Sequence, residues 1–372
     1  MDERQVTSNK VPFSSNSIRL SVGQWVIVGI ICIVSLFLSP ALWERIEKFS
    51  PGQNFRIPYD LSNDYWLYKR YCKFVGSQSR ILVIGDSVIW GHFVPRDKTL
   101  SNYLNETTGS EQFVNLGLDG VHPAAMEGLL RYYGKDITNK NIILHFNPLW
   151  MSSPKQDLQG EKEFVFNHPK LVAQFIPKIP CYKASFSTRI SAVFRRHVVL
   201  PNLLSHIKIT YFQNSDIPAW TMENPYKNPL KALTFNIPDA DLYEKKESTS
   251  HRQNNAARNG FQWVATETSF QWSRFRETVQ LLQKRGSRVF VLVGPFNEHM
   301  LEGVNLESYR YLKKDIESQL LDNDIDYYAP PALPAELYID ASHPTSEGYA
   351  LLAQQLCENE AFESFVLKSK TD

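Results

Sequence analysis

From Val22 to Trp43 the chain carries no charged residue, and Trp25 to Leu38 is apolar at nearly every position. A helix needs roughly 20 such residues to cross the hydrocarbon core of a bilayer. Trp25 and Trp43 bracket the run as interfacial aromatics do. Beyond it the pattern changes to short apolar runs at 81–84, 112–116, 141–146 and 288–293. Runs of this length predict strands buried on both faces. They alternate with segments near 97–107, 121–134, 263–285 and 345–357 whose patterns predict helices. In the third of these, Phe275, Val279 and Leu282 recur at i, i+4 and i+7, an apolar face that Gly286 closes. Strands and helices in alternation predict an α/β domain, a parallel sheet with helices on both faces.

The same pattern divides the chain. Residues 1–21 form a polar tail, 22–43 a transmembrane signal anchor, 44–77 a stalk and lead-in segment, and 78–372 the main domain. Tyr65, Trp66, Tyr68 and Tyr71 in the lead-in are expected to pack on that domain. Arg4, Lys10 and Arg19 precede the span and Arg45 and Lys48 follow it, a bias toward a cytoplasmic N-terminus and an extracytoplasmic main domain. A cleaved signal peptide is the alternative, but the polar lead and the apolar run are both long for one. Residues 151–260 fit no single βα unit and exceed a plain loop, which predicts an insertion with structure of its own. It mixes aromatics with Arg189, Arg195, Arg196, Lys208 and the polar run Glu244 to Arg258. Following Asn147, it is expected either to cap the active-site edge, selecting substrate or touching the membrane surface, or to form a packed subdomain with a solvated face.

Composition narrows the function classes. The 372 residues hold 40 Lys and Arg against 39 Asp and Glu, so no basic excess points to nucleic acid. Of four cysteines Cys32 lies in the span, and the three others, Cys72, Cys181 and Cys357, form no even framework, although one pair could bridge. There is no Gly-x-Ser-x-Gly elbow, His-Glu-x-x-His, Cys-x-x-Cys or P-loop pattern. No metal or cofactor is called for.

Two distant segments carry the candidate chemistry. Gly85-Asp86-Ser87 directly follows the strand at 81–84, which places Ser87 at a strand's carboxyl edge, where Gly85 is expected to permit a tight turn. Asp340-Ala341-Ser342-His343 holds an acid and an imidazole three residues apart. A carboxylate on one ring nitrogen leaves the other to take a proton from a serine. Two further segments fall at strand ends: Asn115-Leu116-Gly117-Leu118-Asp119-Gly120, and Asn147 after the strand at 141–146. Asn297, in Gly294-Pro295-Phe296-Asn297, is expected to line the pocket or to serve a turn. His92, His122 and His145 lie nearby in sequence and read as structural, since nothing pairs them at ligand spacing.

On these four segments the chain resembles the SGNH/GDSL hydrolase superfamily, whose markers are a Gly-Asp-Ser block, a glycine, an asparagine and an Asp-x-x-His block. The resemblance covers roughly residues 78–150 and 287–358. It implies a flavodoxin-like three-layer sandwich, with Ser87 as nucleophile, His343 as base and Asp340 as its partner. The oxyanion donors it implies are the N–H groups of Ser87 and Gly120 and the side chain of Asn147, with Gly117 as the competing glycine. The third block departs from the family's Gly-x-Asn-Asp, reading His145-Phe146-Asn147-Pro148. The activity implied is that of a membrane-anchored, extracytoplasmic serine esterase or O-acyltransferase, working through an acyl-enzyme on an acylated cell-envelope glycan or lipid. A membrane acyltransferase is a possible partner. The alternative is a non-catalytic envelope protein that keeps the fold to bind glycan or an acyltransferase.

Overall fold

The apolar run folds as α1 (Val22–Ile46), exposed along nearly its whole length. Its 25 residues span about 37 Å at helical rise, and its apolar window has a mean hydropathy of 2.5. It is thus long and apolar enough to cross a bilayer core of about 30 Å. Pro40 does not stop it, and the helix continues to Ile46. The computed structural model describes residues 20–238 and 261–368. Arg4, Lys10 and Arg19 and the run Glu244 to Arg258 lie outside the described residues.

Residues up to Ile46 and from Glu47 onward are separate units. In the second, the lead-in segment contains an unforeseen helix, α2 (Tyr65–Gly76), capped by Asp64, whose side chain accepts from Leu67 N–H at 3.0 Å. Tyr65, Trp66, Tyr68 and Tyr71 are all buried there, as expected. Then follow β1 (Ile81–Ile84), a single helical turn α3 (Ser87–Trp90), α4 (Leu100–Thr108), β2 (Phe113–Asn115), α5 (Pro123–Tyr132) and β3 (Asn141–Phe146). The insertion contributes α6 (Phe186–His197), α7 (Leu200–Phe212), α8 (Ile217–Glu223) and α9 (Pro229–Ala232). The chain returns through α10 (Phe270–Lys284), β4 (Arg288–Val293), α11 (Val304–Asp322), β5 (Tyr327–Tyr328), α12 (Ser346–Cys357) and α13 (Glu360–Lys368).

All five strands are parallel, in the order β2-β1-β3-β4-β5. Alternation within each strand builds two cores. Leu82, Ile84, Ile142, Leu144, Phe146, Val291 and Val293 join side chains of α2, α5, α10 and α11 in one. Ile81, Val83, Ile143, Phe290 and Leu292 join α4, α12 and α13 in the other. Burying both faces requires the unbroken apolar runs seen in the sequence. Strand order reverses between β1 and β3, the place where open α/β sheets leave a crevice beyond their carboxyl ends.

The third predicted helix begins late, at Phe270 rather than 263, for a tertiary reason. Gln262 and Val264 N–H groups bond the carbonyls of Ser152 and Met151, both at 2.9 Å, which holds that stretch extended. Asp157 of the insertion then caps α10, accepting from Phe270 N–H at 2.8 Å and Gln271 N–H at 3.0 Å. The four cysteines are free, and no pair bridges.

A buried ionic cluster fastens the insertion to the start of this unit. His206 of α7 lies between two carboxylates, its Nδ1 2.6 Å from Asp64 Oδ2 and its Nε2 2.7 Å from Glu47 Oε1. Arg70 and the Tyr211 hydroxyl also bond Glu47. Burial opposes a charge on His206, but the two acids raise its pKa to about 9. A folded value above the unfolded one, near 6.5, means that this stabilisation is complete below about pH 6.5 and is lost as pH rises through about 9. The full effect is about 3 kcal/mol. Thermal unfolding in detergent is therefore expected to show Tm falling between about pH 7 and pH 9.5. His206→Gln should remove that slope and cost about 3–5 kcal/mol, because it leaves Asp64 buried without its cation and Glu47 with Arg70 alone.

Candidate active site

β1 ends at Ile84, and Gly85 follows because nothing larger fits. A Cβ there would stand 2.4 Å from Ile89 Cγ1 and 2.8 Å from His145 Cβ. Its backbone does not adopt a left-handed conformation, so close approach, rather than the tight turn expected from the sequence, is what requires glycine. Asp86 caps α3, its Oδ1 accepting from Val88 N–H at 2.9 Å. Ser87 is the first residue of that turn. Gly91, at φ +86°, closes it, and both Gly91 and His92 N–H groups return to the Ser87 carbonyl. The turn is clamped from outside, with Arg56 donating to the Trp90 and Gly91 carbonyls at 3.0 and 2.7 Å, and the Tyr349 hydroxyl donating to the Val88 carbonyl at 2.7 Å.

Across the sheet edge, His343 Nε2 lies 2.8 Å from Ser87 Oγ. Its Nδ1 lies 2.9 and 2.8 Å from the two oxygens of Asp340. Asp340 Oδ1 also accepts from the Ser342 and His343 N–H groups, at 3.0 and 2.9 Å, so the loop holds its own acid in place. Burial opposes charge on both groups. The hydrogen bond and ion pair with Asp340 nevertheless raise the His343 pKa, with Asp86 and Asp119 adding to it, and the same pair lowers that of Asp340. Hydroxyl, imidazole and carboxylate thus form one connected chain. Asn297 is wholly buried behind them, its N–H on the Ala341 carbonyl at 2.9 Å and its Nδ2 on that of Asp340 at 3.2 Å. It braces the acid's loop from behind and does not line open space.

Asn147 ends β3 and is buried. Its Nδ2 donates to Asp86 Oδ2 at 2.9 Å, and its Oδ1 accepts from Leu149 N–H at 3.1 Å. The Trp150 indole N–H shares Asp86 Oδ2, also at 2.9 Å. His145 Nδ1 lies 3.2 Å from Asp86 Oδ1, outside hydrogen-bond alignment. Burial would raise the Asp86 pKa, but His145, Asn147 and the Val88 N–H together hold it at about 2. Between the two glycines, Gly117 donates its N–H to Asn115 Oδ1 at 2.9 Å and is thereby occupied. Gly120 lies at φ +69°, and a Cβ there would stand 2.3 Å from Asn167 Nδ2 of the insertion. Asn167 thus closes over that loop.

Two contacts at the site carry no mark in the sequence. His92 Nδ1 lies 2.7 Å from Asp119 Oδ1, and its ring centroid is 5.3 Å from that of His343. Phe93 packs edge-on against His343 at 5.4 Å. A second His–Asp pair therefore adjoins the first. Proximity in sequence to Ser87 and Gly120 was the only available signal. His122 is different: burial and the nearby His168 lower its pKa to about 3, so it stays neutral, bonded to Gln271 and the Asn167 carbonyl. It lines a cavity of about 270 Å³ with Leu149, Trp150, Phe164, Phe166 and Asn167. A larger groove of about 1060 Å³ runs along α11 by Trp263 and Tyr311 and contains none of Ser87, Asp340 or His343. Among the described residues no cluster of His, Cys, Asp and Glu is arranged to hold a metal.

A direct measurement follows from the His343 environment. NMR titration of its imidazole is expected to give a pKa above the ordinary 6.5, and Asp340→Asn should lower it, because the neutral amide no longer favours the imidazolium. No family model matches this chain, and no curated protein matches it.

Proposed function

We propose that the protein is a serine esterase or O-acyltransferase of SGNH/GDSL type, anchored by α1 and facing outward. One observation carries the reading: the hydrogen-bonded chain from Ser87 Oγ through His343 to Asp340. A binding protein has no use for an activated serine. The strand order 2-1-3-4-5, with helices on both faces, is that of flavodoxin-like sandwiches, which favours the same superfamily.

In this reading Ser87 Oγ attacks the carbonyl carbon of an ester while His343 Nε2 takes its proton. The negative charge on the former carbonyl oxygen is met by the N–H groups of Ser87 and Gly120 and by the Asn147 amide. That nitrogen carries two hydrogens and gives only one to Asp86. Collapse breaks the C–O bond, and His343 returns its proton to the departing alcohol. Water, or the hydroxyl of a second acceptor, then attacks the acyl-enzyme with His343 again as base. Transfer and hydrolysis differ only in that acceptor. The mostly apolar cavity beside Trp150 adjoins the Asp86 and Gly120 side of the site and suits the acyl part of a substrate. An anchored, outward-facing enzyme of this kind would meet acylated glycans or lipids of the cell envelope.

A second reading, a non-catalytic binding protein, draws on the Asn147 contact with Asp86, which ties up part of the amide an oxyanion would need. Reactivity separates the two, since both predict binding. Full-length protein in detergent is expected to react covalently with a fluorophosphonate at Ser87, and Ser87→Ala and His343→Ala should abolish labelling. Asn147→Ala should slow it about 10²–10³-fold. Absence of labelling in folded wild type would refute the esterase reading.

A further inference from the structure

Lys48, just beyond α1, pairs with Phe235 and Asn236 of the insertion. Lys48, second after the helix, donates its N–H to the Phe235 carbonyl at 2.8 Å and forms a bridge with Asn236. Five residues span at most about 17 Å, so Leu230 lies within that distance of Phe235, the residue bonded to Lys48. Glu47, first after the helix, is bonded to His206 of α7. α8 is fixed to α7 in turn by Phe212 and Trp220, whose rings meet edge-on at 5.3 Å. That contact uses the inward face of α8. Outward, Ile217 is half-exposed, Met222 is 83 % and Leu230 76 % exposed, and Tyr226 is fully exposed.

Charge follows the same stretch. Residues 164–238 hold nine Lys and Arg against Asp216 and Glu223, although the whole chain is nearly neutral at +1. Lys48, Lys227 and Lys231 are exposed as well, the last two next in sequence to Tyr226 and Leu230. Apolar and aromatic side chains interleaved with lysines on a short helical surface form the pattern of an interfacial segment. Lysine stems cover apolar surface while their ammonium groups reach phosphate.

We propose that Ile217 to Lys231 lies on the bilayer surface at the point where the chain leaves the membrane. Met222, Tyr226 and Leu230 would sit at the headgroup level, and Lys48, Lys227 and Lys231 would meet anionic phospholipid. The proposal rests on the reading of α1 as a membrane span. It goes beyond the catalytic reading, because it assigns the insertion a lipid ligand of its own and ties the site's covering segment to the membrane.

Depth-dependent fluorescence quenching tests it on the full chain. Cys32 and Cys357 are replaced by serine, Cys72 and Cys181 being buried, and a single cysteine is placed by Met222→Cys, Leu230→Cys or, on α11, Leu321→Cys. A further variant keeps Cys32 alone as the accessible thiol. Each is labelled with a polarity-sensitive fluorophore and reconstituted in phosphatidylcholine vesicles, with and without phosphatidylglycerol, carrying shallow or deep spin-labelled lipid. Shallow quenching is expected at 222 and 230 but not at 321, and deep quenching at 32. Quenching at 222 and 230 should strengthen with phosphatidylglycerol and weaken with salt. Lys227→Glu with Lys231→Glu should reduce surface partition by at least about fivefold per lysine.

Quenching at 32 without quenching at 222 and 230 would overturn the surface contact and leave the anchor standing. Equal quenching at 321 would overturn it as non-specific. No quenching at 32 would overturn the anchor and the contact together. Protection of 222 and 230 from a water-soluble maleimide in native membranes, but not in pure lipid vesicles, would assign the patch to a protein and refute the lipid proposal.

Discussion

The buried carboxylate of Asp86 is the constraint on which the site depends. Burying such a charge costs several kcal/mol unless every lone pair is met. Here Val88 N–H, the Asn147 amide and the Trp150 indole are its hydrogen-bond partners, and the His145 ring lies 3.2 Å away. These groups come from the end of β1 and the end of β3, on either side of the point where strand order reverses. A requirement to satisfy one carboxylate therefore sets the pitch of the Ser87 turn and the pose of Asn147 at once. His145 turns its ring to Asp86, and its Cβ together with Ile89 packs so closely that position 85 admits no Cβ.

The other half of the site is held independently. Asp340 is oriented by the N–H groups of its own loop, and that loop is anchored by Asn297 and by the Tyr338 hydroxyl, which donates to the Phe296 carbonyl at 3.0 Å. The two arms meet at the contact between His343 and Ser87, backed by Phe93 against the His343 ring and by the Tyr349 hydroxyl on the Val88 carbonyl. Rigid positioning of this kind lowers the reorganisation needed when charge develops. The insertion closes the arrangement from above. Asn167 lies on Gly120, and His168 Nε2 lies 2.9 Å from the Asp119 carbonyl, so the loop of Asp119 and Gly120 is shaped by a segment from outside the sheet.

Much of the frame was legible along the chain. β1, β3 and β4 sit where the apolar runs place them, since strands buried on both faces can be little else. α2 was missed because its aromatics blur the helical period, and β5 because two half-buried residues leave no run to read. The late start of α10 depends on Asp157 and on backbone bonds to residues 151 and 152, none of which local periodicity can register. Residue types suited to serine chemistry were visible at the strand ends, whereas the pairing of His92 with Asp119 was not.

What the sequence by itself determined is therefore whatever depends on neighbours in the chain: an apolar run long enough for a bilayer, strands set by unbroken apolar runs, and serine, histidine and acid residue types placed where strands stop or loops turn. Only the tertiary structure decided which of these groups meet. Ser87 and His343 are 256 positions apart, and their contact exists because two cores pack β1 and the loop before α12 against one sheet edge. The same holds for the partners of Asp86, the exclusion of any side chain at Gly85, and the fastening of α7 to Glu47. Each is a distance between residues remote in sequence, and such distances follow from packing and from the need to satisfy buried charge, which no local pattern encodes.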